Sequence, residues 1–282
     1  MQVSEDIEFT NAVGVTYRFG GLVSVEGLGD VEADIQQQSA PYQDGSAFLD
    51  AILSPRYVSV EFILKGANYA DVRNQRSTIG KALNPKLGLG TLTYMSGGIT
   101  REIEAIAESV PFFPDGANRG ERWQRGTLTF ICPNPYWKSL GETEEPTFEP
   151  LFQFPFEGEF QMGIQRDRRI IDNDGDAPTP IHVEFHGPAL NPKIINNTTG
   201  EFIKVNQLLN ENERMIIDTT DGVKSVYFVD SIGNSRNVFN WIDLNSTFFK
   251  LVVGENDVEY TADSDVQGAV VNITYNKLYT AV

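Results

Sequence analysis

The sequence predicts a mainly β protein of two domains. Three observations carry this. Short runs alternating apolar and polar residues recur in both halves of the 282-residue chain, which is the period of a half-buried strand. Dense Gly, Pro, Asn and Asp turns separate them. A single stretch, Tyr69 to Leu83, has helical patterning with a cap and a stop. Residues 1–140 are assigned to an N-terminal β-barrel or sandwich carrying that helix. Residues 146–282 are assigned to an antiparallel β-sandwich.

Residues 1–35 read as short strands. Val15, Tyr17 and Phe19 alternate, as do Val31, Ala33 and Ile35, with Gly20-Gly21 and Gly27-Leu28-Gly29-Asp30 between them. Gln36 to Gly45 is polar, contains Pro41 and ends in Asp44-Gly45, so it is expected to be a loop; long loops often serve a partner. Tyr57 to Leu64 puts Val58, Val60, Phe62 and Leu64 on one face. Asn68 caps the helix and Asn84-Pro85 stops it. Its stripe of Val72, Ile79 and Leu83 is narrow, which suits a sheet edge or barrel mouth.

Gly90 to Tyr94 and Ile99 to Ile106 form a hairpin across Ser96-Gly97-Gly98. Trp123 to Cys132 is a further strand, ended by Pro133-Asn134-Pro135-Tyr136-Trp137. Gly141 to Pro146 opens a stretch rich in glutamate and proline and is read as the domain junction. Beyond it, Arg169 to Gly200 contains four prolines that no helix tolerates. Asn173, Asp174 and Gly175 there suit a turn and tolerate positive φ. Ile181 to His186 alternates strictly, which turns Ile181, Val183 and Phe185 inward. Further strands are expected at Phe202–Val205, Met215–Asp218, Val223–Val229, Val238–Leu244, Phe248–Val253, Val258–Ala262 and Ala269–Tyr275. Asp221-Gly222, Gly233-Asn234 and Gly254-Glu255-Asn256-Asp257 are read as the turns between them.

Composition narrows the function. The chain holds 39 acidic and 22 basic residues, a net charge of −17. Residues 1–140 carry 16 acids and 12 bases; residues 141–282 carry 23 and 10. Such a chain repels phosphate backbones, so ordinary nucleic-acid binding is disfavoured. A single cysteine, Cys132, excludes an internal disulfide framework and sits in an apolar strand end, a structural place rather than a reactive one. The start lacks a secretory signal and no run reaches the ~20 apolar residues of a membrane helix. The expectation is a soluble chain made in the cytosol, with no membrane partner.

Candidate chemistry is sparse. His182, Glu184 and His186 share one strand face and could ligate zinc or iron, but a fourth ligand is missing and a polar outer face explains them better. Asp172, Asp174 and Asp176 imitate the start of a calcium loop. Its sixth and twelfth positions fall on Ala177 and Val183 instead of Gly and Glu. Gly88-Leu89-Gly90 has neither the third glycine nor the lysine of a phosphate loop, and no G-x-S-x-G elbow occurs. Carboxylates are plentiful, yet nothing marks a glycosidase pair. Tyr227, Tyr260, Trp241 and Phe239 could stack on a sugar, although aromatics at such positions more often build a core. No catalytic, cofactor-binding or metal-ligating residue is assigned.

The order of these features resembles the distal tail protein (Dit) family of long-tailed phages. In the first half the resemblance is carried by Gly27-Leu28, Pro41-Tyr42-Gln43-Asp44-Gly45, the strand before the helix, the hairpin from Gly90, and Phe130-Ile131-Cys132-Pro133-Asn134-Pro135-Tyr136-Trp137. In the second half it is carried by Asn173-Asp174-Gly175-Asp176-Ala177, Gly187-Pro188, Asn191-Pro192, Asn197-Thr198-Thr199-Gly200-Glu201, Ile217-Asp218-Thr219, Phe248-Phe249-Lys250-Leu251 and Gly254-Glu255-Asn256. The resemblance implies an N-terminal domain that forms a hexameric ring and a galectin-like C-terminal sandwich. The ring would continue the tail tube and hold the tail-tip spike or tail-associated lysin at the distal end of the virion tail. In some relatives the sandwich carries receptor-binding proteins. Genome DNA would only pass through the lumen, and neither catalytic residues nor a cofactor is implied. The alternative is a carbohydrate-binding module that recognises host wall glycans through the C-terminal sandwich; a wall-degrading enzyme is the third possibility.

Overall fold

The computed structural model describes residues 5–42, 44–141, 143–144, 167–263 and 270–282. The chain divides into two compact units. One comprises Met1–Leu140 with Tyr279–Val282, the other Gly141–Leu278. Tyr279–Val282, grouped by sequence with the second half, thus belong to the first unit. Of the expected junction at Gly141 to Pro146, Gly141, Thr143 and Glu144 are described, and Thr143–Glu144 form a short strand paired with Thr274–Tyr275; the other three residues lie outside the described ones.

The first unit contains β1 (Glu5–Thr10), β2 (Thr16–Arg18), β3 (Leu22–Glu26), β4 (Ala33–Gln38), β5 (Ala47–Leu53), β6 (Arg56–Lys65), helix α1 (Tyr69–Ala82), β7 (Gly90–Ser96), β8 (Ile99–Ala107), β9 (Trp123–Cys132) and β10 (Trp137–Ser139). The main sheet runs β2-β1-β7-β8-β9-β6-β3, with β10 on β8. β8 and β9 pair only at Ile106–Ile131 and Ala107–Phe130. That short join lets the two halves of the sheet fold over one core. Phe9 of β1 meets Phe130 of β9 with ring centroids 5.0 Å apart, and Phe19 meets Phe62 at 5.3 Å.

The predicted alternation of β6 holds along its length. Val58, Val60, Phe62 and Leu64 are buried while Tyr57 and Lys65 are exposed. Asn68 caps α1 by accepting from the Asp71 amide at 3.0 Å, and Val72, Ile79 and Ala82 are its buried residues. The β7–β8 hairpin closes at Ser96–Ile99, as expected. Gln36 to Gly45 differs from expectation. Gln36 to Gln38 continue β4, which pairs with the unforeseen strand β5. Of the 13 strand residues in this ribbon, all but Leu53 are exposed.

The second unit contains β11 (Thr143–Glu144), β12 (Asp167–Asn173), β13 (Thr179–Pro180), β14 (His182–His186), β15 (Ala189–Leu190), β16 (Lys193–Asn196), β17 (Glu201–Lys204), β18 (Leu208–Leu209), β19 (Arg214–Asp218), β20 (Ser225–Val229), β21 (Ser235–Asn237), β22 (Lys250–Leu251), β23 (Gly254–Thr261) and β24 (Val270–Tyr275). The last strand of the chain, β25 (Leu278–Tyr279), pairs with β10. One sheet is ordered β11-β24-β14-β19-β20-β21 and a second β12-β23-β16-β17. Both are antiparallel, and residues of both form one core that includes Ile171, Val183, Phe185, Ile194, Ile217, Val258 and Ile273. This is an antiparallel β-sandwich, with Ile181, Val183 and Phe185 inward as the alternation requires.

Three expectations here are corrected. Val238–Leu244 is not a strand; Phe239–Trp241 form a 3-10 turn after Asn237 Oδ1 caps the Phe239 amide. Gly254 to Asp257 is not a turn but the first half of β23, paired with Ile170 to Asn173. The buried Asn256 side chain makes this possible. It accepts from the Val252 amide at 2.9 Å and donates to the Val252 and Gly254 carbonyls, so it closes the bend one step earlier. Phe248–Val253 shortens to Lys250–Leu251. Gly175 is needed for space: a Cβ there would stand 2.7 Å from the Leu278 carbonyl oxygen. Ala269, the expected start of the last long strand, lies outside the described residues.

Candidate functional site

His182, Glu184 and His186 lie together, half-buried, on the outer face of β14. Glu184 Oε1 accepts an ion pair from Arg214 Nη1 at 2.8 Å, and Oε2 lies 3.6 Å from His186 Nε2. His186 Nε2 also faces the Asn272 amide nitrogen at 3.3 Å. A cation already occupies the carboxylate's coordination side. Among the described residues, no three His, Cys, Asp or Glu are grouped to hold a metal.

Asp172, Asp174 and Asp176 are exposed and alternate with buried Asn173, Gly175 and Ala177. The strand ends at Asn173 and the chain bends over Gly175–Ala177, as the turn residues predict: the buried Asn173 side chain accepts from the Gly175 amide at 3.2 Å and donates to the Ala177 carbonyl at 3.0 Å, and Asp174 pairs with Lys277 at 2.7 Å. Cys132 is buried, and burial pushes its thiol up to about 12 against the pull of Arg56. A thiol held protonated is no nucleophile. Both histidines lie in the other unit. Gly88 closes a 3-10 turn, and Gly90 permits the close approach of β1: a Cβ there would stand 2.3 Å from the Thr10 carbonyl oxygen.

Three of the four aromatic candidates pack on other rings of the fold. Tyr260 stacks on Phe185 at 5.9 Å inside the sandwich. Trp241 packs edgewise on Phe228 at 5.3 Å, and the Arg236 guanidinium lies 5.1 Å from both rings. Phe239 stacks on Phe248, nearly parallel, at 5.4 Å. Tyr227 sits 40% exposed on β20. One face of the Trp241 ring is therefore occupied by Arg236.

What stands out instead are two surfaces of the first unit. One is the β4–β5 ribbon. Its paired positions Ala33–Leu53, Ile35–Ala51 and Gln37–Phe48 share one face, and Asp34–Ile52, Gln36–Asp50 and Gln38–Ala47 share the other. An isolated two-stranded ribbon is marginal in water, yet this one presents Ile35, Phe48, Leu49 and Ile52 to solvent. The other surface is the outer face of β6 and β9, where Ile63 stands opposite Arg125 and Lys65 opposite Trp123. The sequence carried a signal for the ribbon. Between Arg18 and Arg56 there is no Lys or Arg, while six carboxylates and many apolar residues occur.

Two family descriptions match this chain in succession. A phage tail protein RIFT-related domain covers residues 14–132, and the C-terminal domain of a siphovirus-type tail component covers residues 174–279. Among solved structures, the Dit (gp 19.1) protein of phage SPP1, described as a hub of the adsorption apparatus in phages that infect Gram-positive bacteria, superposes with a TM-score of 0.70 at 14% identity, over 98% of this chain and 99% of that one. A chain of the activated phage p2 baseplate solved with Sr superposes with a TM-score of 0.56 at 10% identity, over 99% and 100%. A second p2 baseplate, with Ca, gives 0.58 at 10% identity, over the full length of both chains. No curated protein sequence matches the chain. The tandem of both matched domains, on a fold shared from end to end, places the chain in the distal tail protein family of siphophages, as a component of the phage tail.

Proposed function

We propose that this chain works without catalysis, as six copies closed into a ring at the distal end of the phage tail. The first unit builds the ring, which continues the tube above and holds the tail-tip spike or tail-associated lysin below. The second unit stands as the attachment point for receptor-binding proteins. A head-to-tail contact that repeats with a constant rotation closes a ring of this kind.

The observation that carries this reading is the unpartnered ribbon. Burying Ile35, Phe48, Leu49 and Ile52, which are 46–66% exposed in the single chain, would contribute roughly 1 kcal/mol or more for each side chain covered. The wall-glycan alternative loses support from Arg236 over the Trp241 ring and from Tyr260 inside the core. Light scattering on the purified chain, alone and with the tail tube protein, tests the stoichiometry. A mass of six chains is expected; a fixed dimer or trimer in both conditions would contradict it.

A further inference from the structure

The outer face of β6 and β9 forms an open groove of about 610 Å³. Ile63 and Trp123 provide its apolar floor, and Lys65, Arg122 and Arg125 surround them. Trp123 is held in place by Gly120: a Cβ on that glycine would stand 2.4 Å from the indole nitrogen. Arg125 is paired with Glu61 at 2.9 Å. Lys65 and Arg122 have no ion-pair partner among the described residues, so two free cations border an exposed indole on a chain of net charge −17.

One face of the β4–β5 ribbon has the matching pattern. Asp34 stands directly opposite Ile52, and Asp50 lies one pair further along, opposite Gln36. An exposed isoleucine is thus flanked by two carboxylates, and the ribbon carries no basic residue. Diagonal neighbours on one ribbon face lie roughly 7–8 Å apart, a spacing that two long basic side chains can span.

We propose that the acidic face of the β4–β5 ribbon of one copy docks in the basic, tryptophan-floored groove of a second copy. Ile52 covers Ile63 and Trp123, while Asp34 and Asp50 meet Lys65 and Arg122. This rests on the ring reading and names the contact that repeats around it. Charge complementarity selects a second copy as occupant: the groove attracts acids, and the ribbon offers acids around an apolar centre without a single repelling cation.

Cysteine cross-linking of the full chain tests it, both in assembled tails and in solution. Cys132 is fully buried, so the double variant Ile52→Cys with Ile63→Cys presents only the two introduced thiols. The expected result is a ladder of covalent oligomers from the double variant and none from either single variant. Replacing Asp34 and Asp50 by lysine lowers self-association by about tenfold or more, and adding Lys65→Glu with Arg122→Glu restores it. Rings that form without the cross-link overturn this contact and leave the ring standing. Cross-links confined within one chain, or made to another tail protein, also overturn it. Single copies in both solution and tails overturn the contact and the ring together.

Discussion

Arg56 and Thr280, 224 positions apart in sequence, are joined by a hydrogen bond from the guanidinium to the threonine carbonyl. Arg56 is 1% exposed. It also donates to the Gly27 carbonyl at 2.7 Å and the Pro135 carbonyl at 2.9 Å, and lies 5.9 Å from the Trp137 ring. One buried cation thus ties three segments of the first unit. Burial lowers its pKa, opposed in part by Cys132 and Asp30. Tyr279 is held beside it in sequence by Arg101, 3.9 Å from the ring centroid.

Replacing Arg56 by leucine leaves three carbonyls without their donor. At ~1–3 kcal/mol for each buried group left unsatisfied, the first unit should lose about 3 kcal/mol or more. Urea unfolding monitored on this unit reads the loss. Truncation after Leu278 should destabilise the same unit, because the return strand goes with it. A midpoint unchanged in both variants would refute the tie.

Cys132 offers a probe of the same unit. Its thiol, pushed up to about 12 by burial, should resist a thiol reagent at pH 8 for as long as the unit stays folded. Labelling should follow the unfolding rate of the first unit. Fast labelling of native protein would show that β9 opens locally.

Asn256 was expected in a turn and instead lies buried inside the second unit, bonded to Asn196 Nδ2 at 3.1 Å as well as to Val252 and Gly254. Asn256→Ala should cost about 2–4 kcal/mol, from several buried groups left unpaired. The side chain of exposed Asn245 donates only to Asp243, within its own turn, and Asn245→Ala should cost under about 1 kcal/mol. Equal effects at the two sites would contradict this reading.

Acid should act on the second unit first. Its Asp221, Asp230, Asp243, Asp257 and Asp263 all titrate below the ordinary aspartate value of 3.8. The largest causes are hydrogen bonds: from Lys250 to Asp221, from the Asn234 side chain to Asp230, from the Asn245 amide to Asp243, from Arg168 to Asp257, and from Asn191 to Asp263. A carboxylate lowered by folding stabilises above its unfolded pKa, and that stability is lost as pH falls through the folded value. The second unit should therefore be unaffected between pH 7 and 5 by these groups and weaken below about pH 4. Asp221 and Asp263 are exposed and Asp230, Asp243 and Asp257 half-buried, and all lie at the surface of the unit, so each contribution is small and screened by salt. Hydrogen exchange at pH 7 and pH 3 separates the units. Earlier opening of the first unit at pH 3 would contradict the assignment.

Legibility in the sequence followed the presence of a core. β6 and β14 were readable because one face of each is buried and every second residue is apolar. The helix was readable from Asn68 and Asn84-Pro85. β5 was not, because Ala-Phe-Leu-Asp-Ala-Ile-Leu faces solvent on both sides and no alternation is imposed by packing within one chain. Phe239 and Trp241 misled because apolar alternation also fits a 3-10 turn packed on Phe228. The return of Tyr279 to the first unit depends on Arg56 and Arg101, whose partners are carbonyls and a ring face that no local pattern announces. The groove went unread for a related reason: Lys65 and Trp123 become neighbours only through the β6–β9 register.

The most direct measurement is a reconstruction of the intact tail tip without imposed symmetry. Six copies of the first unit should encircle the tail axis, with each β4–β5 ribbon against the next copy. Density for this fold that lies off the axis, or in a number other than six, would contradict the account.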